Sequence, residues 1–177
     1  FGSSGKEFEP SQLDVEYGGL VPQELVELQE RFNGMVNRIA KGQAHIRWLA
    51  YTDSVTALPN RESFEILATR QIKHLSRFKG RGAMLVVDVD EFKLINDTLG
   101  HDGGDFLLKS VAERLRAVSR DEDLVARLGG DEFVVLCRDI SRKEFRKLYG
   151  RVMEGAKTPC SHEGQSYTPS LSVGAYL

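Results

Sequence analysis

The sequence predicts an α+β fold, a mixed sheet with helices packed on both faces, preceded by one long amino-terminal helix. Three observations predict it. Helical and extended apolar patterns alternate from Tyr51 onward. The run AMLVV (83–87), bounded by Gly82 and Asp88, has the continuous apolar character of a buried central strand. Two further strand-like runs, 124–128 and 133–137, flank the four residues GGDE, so part of the sheet must be an antiparallel hairpin.

In chain order, residues 1–20 are rich in Gly, Ser and Glu, carry no periodicity and are given no role. Residues 21–50 form the lead helix. From Pro22, a favourable first helical residue, Leu25, Leu28, Phe32, Met35 and Ile39 fall at spacings of 3, 4, 3 and 4, and Ile46 and Leu49 continue the frame. The pattern fits a parallel seam with a second helix and equally an amphipathic helix lying on its own domain. Gly34 and Gly42 each cost the helix about 1 kcal/mol relative to Ala, so it needs a partner either way. Residues 51–177 make the second region. Phe64, Leu67, Ile72 and Leu75 give a helix over 63–78; Leu107, Val111, Leu115 and Val118 one over 106–118; Phe145, Leu148 and Val152 one over 141–156. A last strand pair arm is expected over 167–177.

Composition removes several classes of function. The 177 residues carry 24 basic against 26 acidic side chains, a net charge of −2, which disfavours a nucleic-acid polymer as partner. Cys137 and Cys160 stand without a CxxC or Cys/His spacing, which argues against a zinc site or disulfide framework and for a reducing compartment. No apolar run reaches the roughly 18 residues of a membrane span, so the chain is expected to be soluble.

Two clusters carry chemistry. In Asp88-Val89-Asp90 the two carboxylates share one face at the end of a buried strand, where open sheets bind ligands. Such a pair either brackets Mg²⁺ through hard oxygens or divides between a turn cap and solvent. An EF-hand reading fails because Phe92 and Lys93 stand where a ligand and a turn glycine are needed; a haloacid-dehalogenase-type phosphatase survives on spacing alone. In Gly129-Gly130-Asp131-Glu132, glycines let a backbone approach a phosphate or a flat ligand and two carboxylates follow, although turn chemistry also accounts for GGD. Between the clusters lie Lys93, Asn96, Asp97, Gly100, His101, Gly104 and Asp105. Asn and Asp together can read a guanine edge, and Lys93 can offset phosphate charge. Taken alone, His101 also fits loop packing or capping. Arg120-Asp121-Glu122-Asp123 is, alone, an ordinary charged loop.

These segments together resemble the GGDEF domain of diguanylate cyclases. DSVTALPNR (53–61) resembles the opening DxLTxLxNR, with Val55 in place of Leu. DVDEFKLINDTLGHDGGD (88–105) resembles DxDxFKxINDxxGHxxGD, RLGGDEF (127–133) carries the naming motif, and SLSVGAYL (170–177) resembles the SxG strand. This collinear set displaces the phosphatase reading. The resemblance implies a nucleotidyl-cyclase-like fold and a homodimer that condenses two GTP into cyclic di-GMP and pyrophosphate. It implies Mg²⁺, two ions per active site, or Mn²⁺, held by Asp88, the Val89 carbonyl and Asp131. Asp131 is then the general base with Glu132 beside it, and Lys93 stabilises phosphate charge. Asn96 and Asp105 read guanine, His101 shapes the pocket, and Gly129 and Gly130 let GTP lie close. Arg120 and Asp123 match an inhibitory RxxD product site. The alternative is a non-catalytic module that binds GTP or cyclic di-GMP and regulates an attached domain such as a phosphodiesterase.

ELVELQERFNGMVNRIA (24–40) is similar to the second helix of a HAMP domain, the dimeric linker of membrane receptors. That likeness implies the cytoplasmic part of a bacterial inner-membrane sensor, reaching the membrane only through an upstream segment. The family ordinarily continues past the SxG strand into an ADxALYxAK helix and a final strand, so the GGDEF domain is expected to lack these within 51–177.

Overall fold

The computed structural model describes residues 23–162 and 164–177; the expected helix start at Pro22 and the segment 1–20 lie outside them. The chain divides into two compact units, Phe1–Trp48 and Leu49–Leu177. In the first, helix α1 (Gln23–Tyr51, its last turn reaching the second unit) leaves its apolar stripe in the open. Exposure along the stripe runs from 49% at Phe32 to 66% at Ile46.

The second unit contains α2 (Arg61–Phe78), β1 (Gly82–Val89), α3 (Phe92–Val118), β2 (Leu124–Gly129), β3 (Glu132–Arg138), α4 (Arg142–Ala156), β4 (Cys160–His162), β5 (Gln165–Tyr167) and β6 (Leu171–Tyr176). The main sheet has the order β2-β3-β1-β6. Its three pairings are all antiparallel, and helices cover both faces, which is the expected α+β architecture. The apolar run of β1 accounts for its central place. Strand alternation sends Ala83, Leu85, Val87 and Val89 to one face, where all are buried against Leu107, Leu108, Val111 and Leu115 of α3 and Leu148 and Val152 of α4. Met84 points the other way and packs with Phe64, Leu67 and Ala68 of α2, Leu124 and Leu136. In register, Leu85 faces Val135 and Val87 faces Phe133, so the two strands fill the same core layer.

Helix ends follow local chemistry. Asn60 caps α2 by accepting from the Ser63 amide at 3.0 Å. It also donates through Nδ2 to the Ala50 carbonyl at 2.7 Å, while its amide donates to the Tyr51 carbonyl at 3.1 Å. Ser141 and Glu144 form a reciprocal capping box at the start of α4.

Three elements differ from the sequence reading. α3 begins at Phe92 rather than at 106, because Phe92 and Ile95 pack against the core between polar neighbours; a kink at Gly100, with φ 73° and ψ 172°, separates its two segments. The arm expected over 167–177 is two pieces: Tyr167 belongs to the small β4–β5 hairpin, and after Pro169 only β6 pairs with β1. The turn at 129–132 is tighter, with β2 reaching Gly129 and β3 starting at Glu132.

Both cysteines are buried. Burial, and then the Asp123 carboxylate beside it, push the Cys137 thiol up to about 12. Phe133 is fully buried at the middle of the core. Phe133→Ala is therefore expected to cost about 3–5 kcal/mol, read as a lower urea midpoint with an unchanged slope.

Candidate functional site

The site forms where β1 ends against the β2–β3 turn. Asp88 stands opposite Glu132 in the ladder, and the Val89 amide donates to the Asp131 carbonyl at 3.2 Å. The register thus sets Asp88, Val89, Asp131 and Glu132 side by side. A bulge between Arg127 and Gly129 and a turn through Gly130 and Asp131 complete the tip. Gly129 (φ 142°) and Gly130 (φ 53°) both have positive φ, and a Cβ on either would meet nothing within 4 Å. Backbone conformation therefore requires these glycines, and the space beside them is open.

Charge is uneven at this end. Burial, and then the neighbouring Asp131, Glu132 and Asp90 carboxylates, hold the Asp88 carboxyl above its ordinary range. Glu132 has a partial counter-charge in Arg61, 3.5 Å away and exposed. Among the described residues no group of three His, Cys, Asp or Glu side chains is arranged to hold a metal. What the site offers is two carboxylates, Asp88 and Asp131, beside the backbone of Val89. Such an oxygen set suits a cation that keeps several waters or phosphate oxygens among its ligands.

Asp90 is differently employed. Its Oδ2 accepts from the Ser170 hydroxyl at 2.5 Å and its Oδ1 from the Ser172 hydroxyl at 2.6 Å, which lowers its pKa. Its amide also donates to the Ser170 carbonyl at 3.0 Å. Asp90 therefore ties the end of β1 to the start of β6. The chain then turns into α3 through Glu91 at φ 56°.

Along α3, Lys93 is exposed in the first turn and Asn96 is half-buried. A Cβ on Gly104 would collide with Asn96 Oδ1, so the absence of a side chain there lets the Asn96 side chain lie across the kink against Gly104. Lys93 and His101 are exposed and make no ion pair among the described residues.

A second polar cluster lies between α3 and β2. The Arg120 amide donates to Asp123 Oδ2 at 2.9 Å, and the Asp123 amide returns to the Arg120 carbonyl at 3.1 Å. The Arg120 guanidinium donates to Glu144 Oε1 at 2.7 Å.

Sequence reasoning missed the residue that holds the hairpin tip. Arg127, 9% exposed, donates from Nη1 to both oxygens of Asp53, at 2.9 and 3.1 Å, and from Nη2 and Nε to the Gly130 carbonyl, at 2.6 and 3.0 Å. Asp53 also accepts from the amide and hydroxyl of Thr56, at 2.8 and 2.7 Å. Burial alone would raise the Asp53 pKa, but the Thr56 hydrogen bonds and Arg127 outweigh it and hold it low. Arg61 adds a bond from Nε to the Leu128 carbonyl at 3.0 Å. The only signal of these contacts was the pairing of DSVTALPNR with RLGGDEF, 74 positions apart at Asp53 and Arg127.

The family model described as diguanylate cyclase, GGDEF domain, matches residues 50–177. The chain belongs to this GGDEF family. The chain is 36% identical over 163 residues, 87% of its length and 38% of the relative, to the diguanylate cyclase TpbB of Pseudomonas aeruginosa. It is 41% identical over 148 residues, 83% of this chain and 19% of the relative, to the cyclic di-GMP phosphodiesterase NbdA of the same species. The chain thus spans well under half of these curated relatives. Among solved structures, the isolated GGDEF domain of TpbB aligns with a TM-score of 0.67 at 38% identity, covering 70% of this chain and 73% of that one. The coiled coil and GGDEF domain of DgcB from Caulobacter crescentus, solved with c-di-GMP, aligns with a TM-score of 0.76 at 22% identity over 85% of this chain and 81% of that one, a likeness of fold.

The Arg127 bridge is directly testable. Arg127→Met leaves Asp53 half-buried without its cation and is expected to cost about 3 kcal/mol. Because the Asp53 pKa is depressed on folding, its contribution is complete above the unfolded value near 3.8 and is lost as pH falls through the lower folded value. Asp53→Asn should therefore lower stability at pH 7 and flatten the acid limb of the stability–pH profile below about pH 4, measured by urea titration.

Proposed function

We propose that this GGDEF domain is a diguanylate cyclase acting as a homodimer. Each copy holds one GTP; each 3′-hydroxyl attacks the α-phosphorus of the other nucleotide. Two phosphodiester bonds form, two pyrophosphates leave, and cyclic di-GMP is the product. The observation that carries this reading is the register placing Asp88, Asp131 and Glu132 together at the strand end beside an open glycine turn.

Burial first, and then the Asp131, Glu132 and Asp90 carboxylates, raise the Asp88 pKa, and a divalent cation would offset the charge of that carboxylate cluster. Asp88, Asp131 and the Val89 carbonyl would hold Mg²⁺, or Mn²⁺ in its place, with two ions per site. Bound there, the metal supplies polarisation of the phosphates and a lower pKa for the attacking hydroxyl. Asp131 accepts the hydroxyl proton with Glu132 beside it, and Lys93 offsets phosphate charge. Asn96 and Asp105 bind guanine, His101 borders the pocket, and the nucleotide lies along Gly129 and Gly130. Arg120 and Asp123 bind cyclic di-GMP as an inhibitory product. The open stripe of α1 supports a HAMP-like or coiled-coil lead that brings two domains together, on the cytoplasmic side of an inner-membrane sensor.

A second reading has support in NbdA, a relative named as a phosphodiesterase. In it the domain binds GTP or cyclic di-GMP and regulates a neighbouring domain without making product.

Incubation with GTP and Mg²⁺ followed by chromatography separates the two. The cyclase reading expects cyclic di-GMP, a loss of about 10²–10⁴-fold in Asp131→Asn, and lower dimer content with lower turnover in the double variant Leu28→Asp/Ile39→Asp. GTP binding by a dimer without product overturns it. Metal binding has its own readout: Mg²⁺ at tenfold its Kd should add about 1.4 kcal/mol of stability. Asp88→Asn should abolish that increment and, in chelator, raise the melting temperature by removing an ionised carboxylate among others.

A further inference from the structure

The guanidinium of Arg120 is already engaged. Its Nη2 contributes a proton to both paired edges of the fork, so Glu144 Oε1 at 2.7 Å occupies one edge and offsets the charge that would draw a phosphate. Glu144 is also held in advance: its Oε2 accepts from the Ser141 amide at 2.9 Å and the Ser141 hydroxyl at 2.6 Å, while its own amide donates to Ser141 Oγ at 3.3 Å to complete the capping box of α4. An ordinary surface pair is weakened by the entropy of fixing two long side chains. Here the cap has fixed one of them. The same contacts, with Ser141 foremost and Arg120 after it, hold the Glu144 carboxyl at about 2, so the anion persists at every working pH. Arg120, Asp123 and Glu144 line one open groove together with Lys147 and Arg151 of α4. An anionic ligand entering that groove meets the cations Arg120, Lys147 and Arg151 and the carboxylates of Asp123, Glu144 and Glu154; Glu144 holds the Arg120 guanidinium at 2.7 Å, with Glu122 more distant at 4.0 Å.

We propose that Glu144 is a built-in competitor for the Arg120 product site, holding the arginine until cyclic di-GMP displaces it and so setting the concentration at which the site fills. The inference rests on the product-site reading of Arg120 and Asp123. Glutamate thereby does two jobs at one position: one oxygen starts a helix and the other occupies the arginine. Neither job needs contact with GTP, so the residue changes inhibition without belonging to the catalytic end.

The test is isothermal titration calorimetry of cyclic di-GMP into the full chain and its variants. Glu144→Gln keeps the capping box, which accepts Glu or Gln, and removes the charge; it is expected to tighten binding about two- to fivefold, the range of a well-ordered exposed ion pair. Glu144→Asp keeps the charge but withdraws it by one methylene, and should also tighten binding. Far-UV circular dichroism and the melting temperature establish that each variant keeps α4. Arg120→Ala should lose binding. If it binds as the unsubstituted chain does, the product-site reading fails, and the competitor role fails with it. If Arg120→Ala loses binding while Glu144→Gln and Glu144→Asp bind unchanged or more weakly, the product site stands and the competitor role is overturned. No uptake by the unsubstituted chain and by Glu144→Gln alike overturns both.

Discussion

The buried guanidinium of Arg127 is the constraint on which the site depends. A cation taken out of water must find matching acceptors, and Arg127 finds them in two segments far apart in the chain, the Asp53 carboxylate and the Gly130 carbonyl. Its own amide adds a third tie, to the Pro59 carbonyl at 3.0 Å. The turn at 53–56, the start of α2 and the hairpin tip are thereby fixed to one side chain. Two positive-φ glycines in succession would otherwise leave the tip loosely defined. Because the arginine holds the backbone at Gly130, the Asp131 side chain that follows has a defined place opposite the end of β1.

The acidic end divides its work among carboxylates that look interchangeable in the sequence. Asp90 is consumed by two serine hydroxyls and joins β1 to β6. Asp88, two residues earlier on the same face, has no such donors and keeps its charge unbalanced. Glu132 shares Arg61. The DxD motif is thus one carboxylate set among other carboxylates at the strand end and one structural carboxylate held by serines, a distinction that follows from which strand lies beside each.

Much of the fold was legible because it is local. The apolar run 83–87 located the core of β1, the glycines at 129 and 130 located the hairpin, and helical spacing found α2, α4 and the second half of α3. The first half of α3 was hidden because only Phe92 and Ile95 touch the core amid polar residues, and β4 and β5 are three-residue strands with no apolar pattern. For the candidate site, residue types at a strand end and in a glycine turn pointed to positions that the strand register sets side by side. The contacts that make the site rigid were not legible, since Asp53–Arg127 and Asp90–Ser172 join positions 74 and 82 residues apart and leave no periodic trace. The Arg120–Glu144 contact was hidden for the same reason: a capping box is readable within four residues, but not the arginine 24 residues earlier that uses its free oxygen.

The sequestered sulfurs carry a practical consequence. Thiolate, not thiol, reacts with maleimides and oxidants, and Cys137, whose pKa is near 12, presents almost none at neutral pH, while Cys160 is buried in the same core. The domain therefore offers a nearly silent background for labelling chemistry. A single cysteine placed on the open stripe of α1 would be the reactive sulfur of the chain, so a spin label or fluorophore there can report what the stripe meets in solution without first removing the native residues.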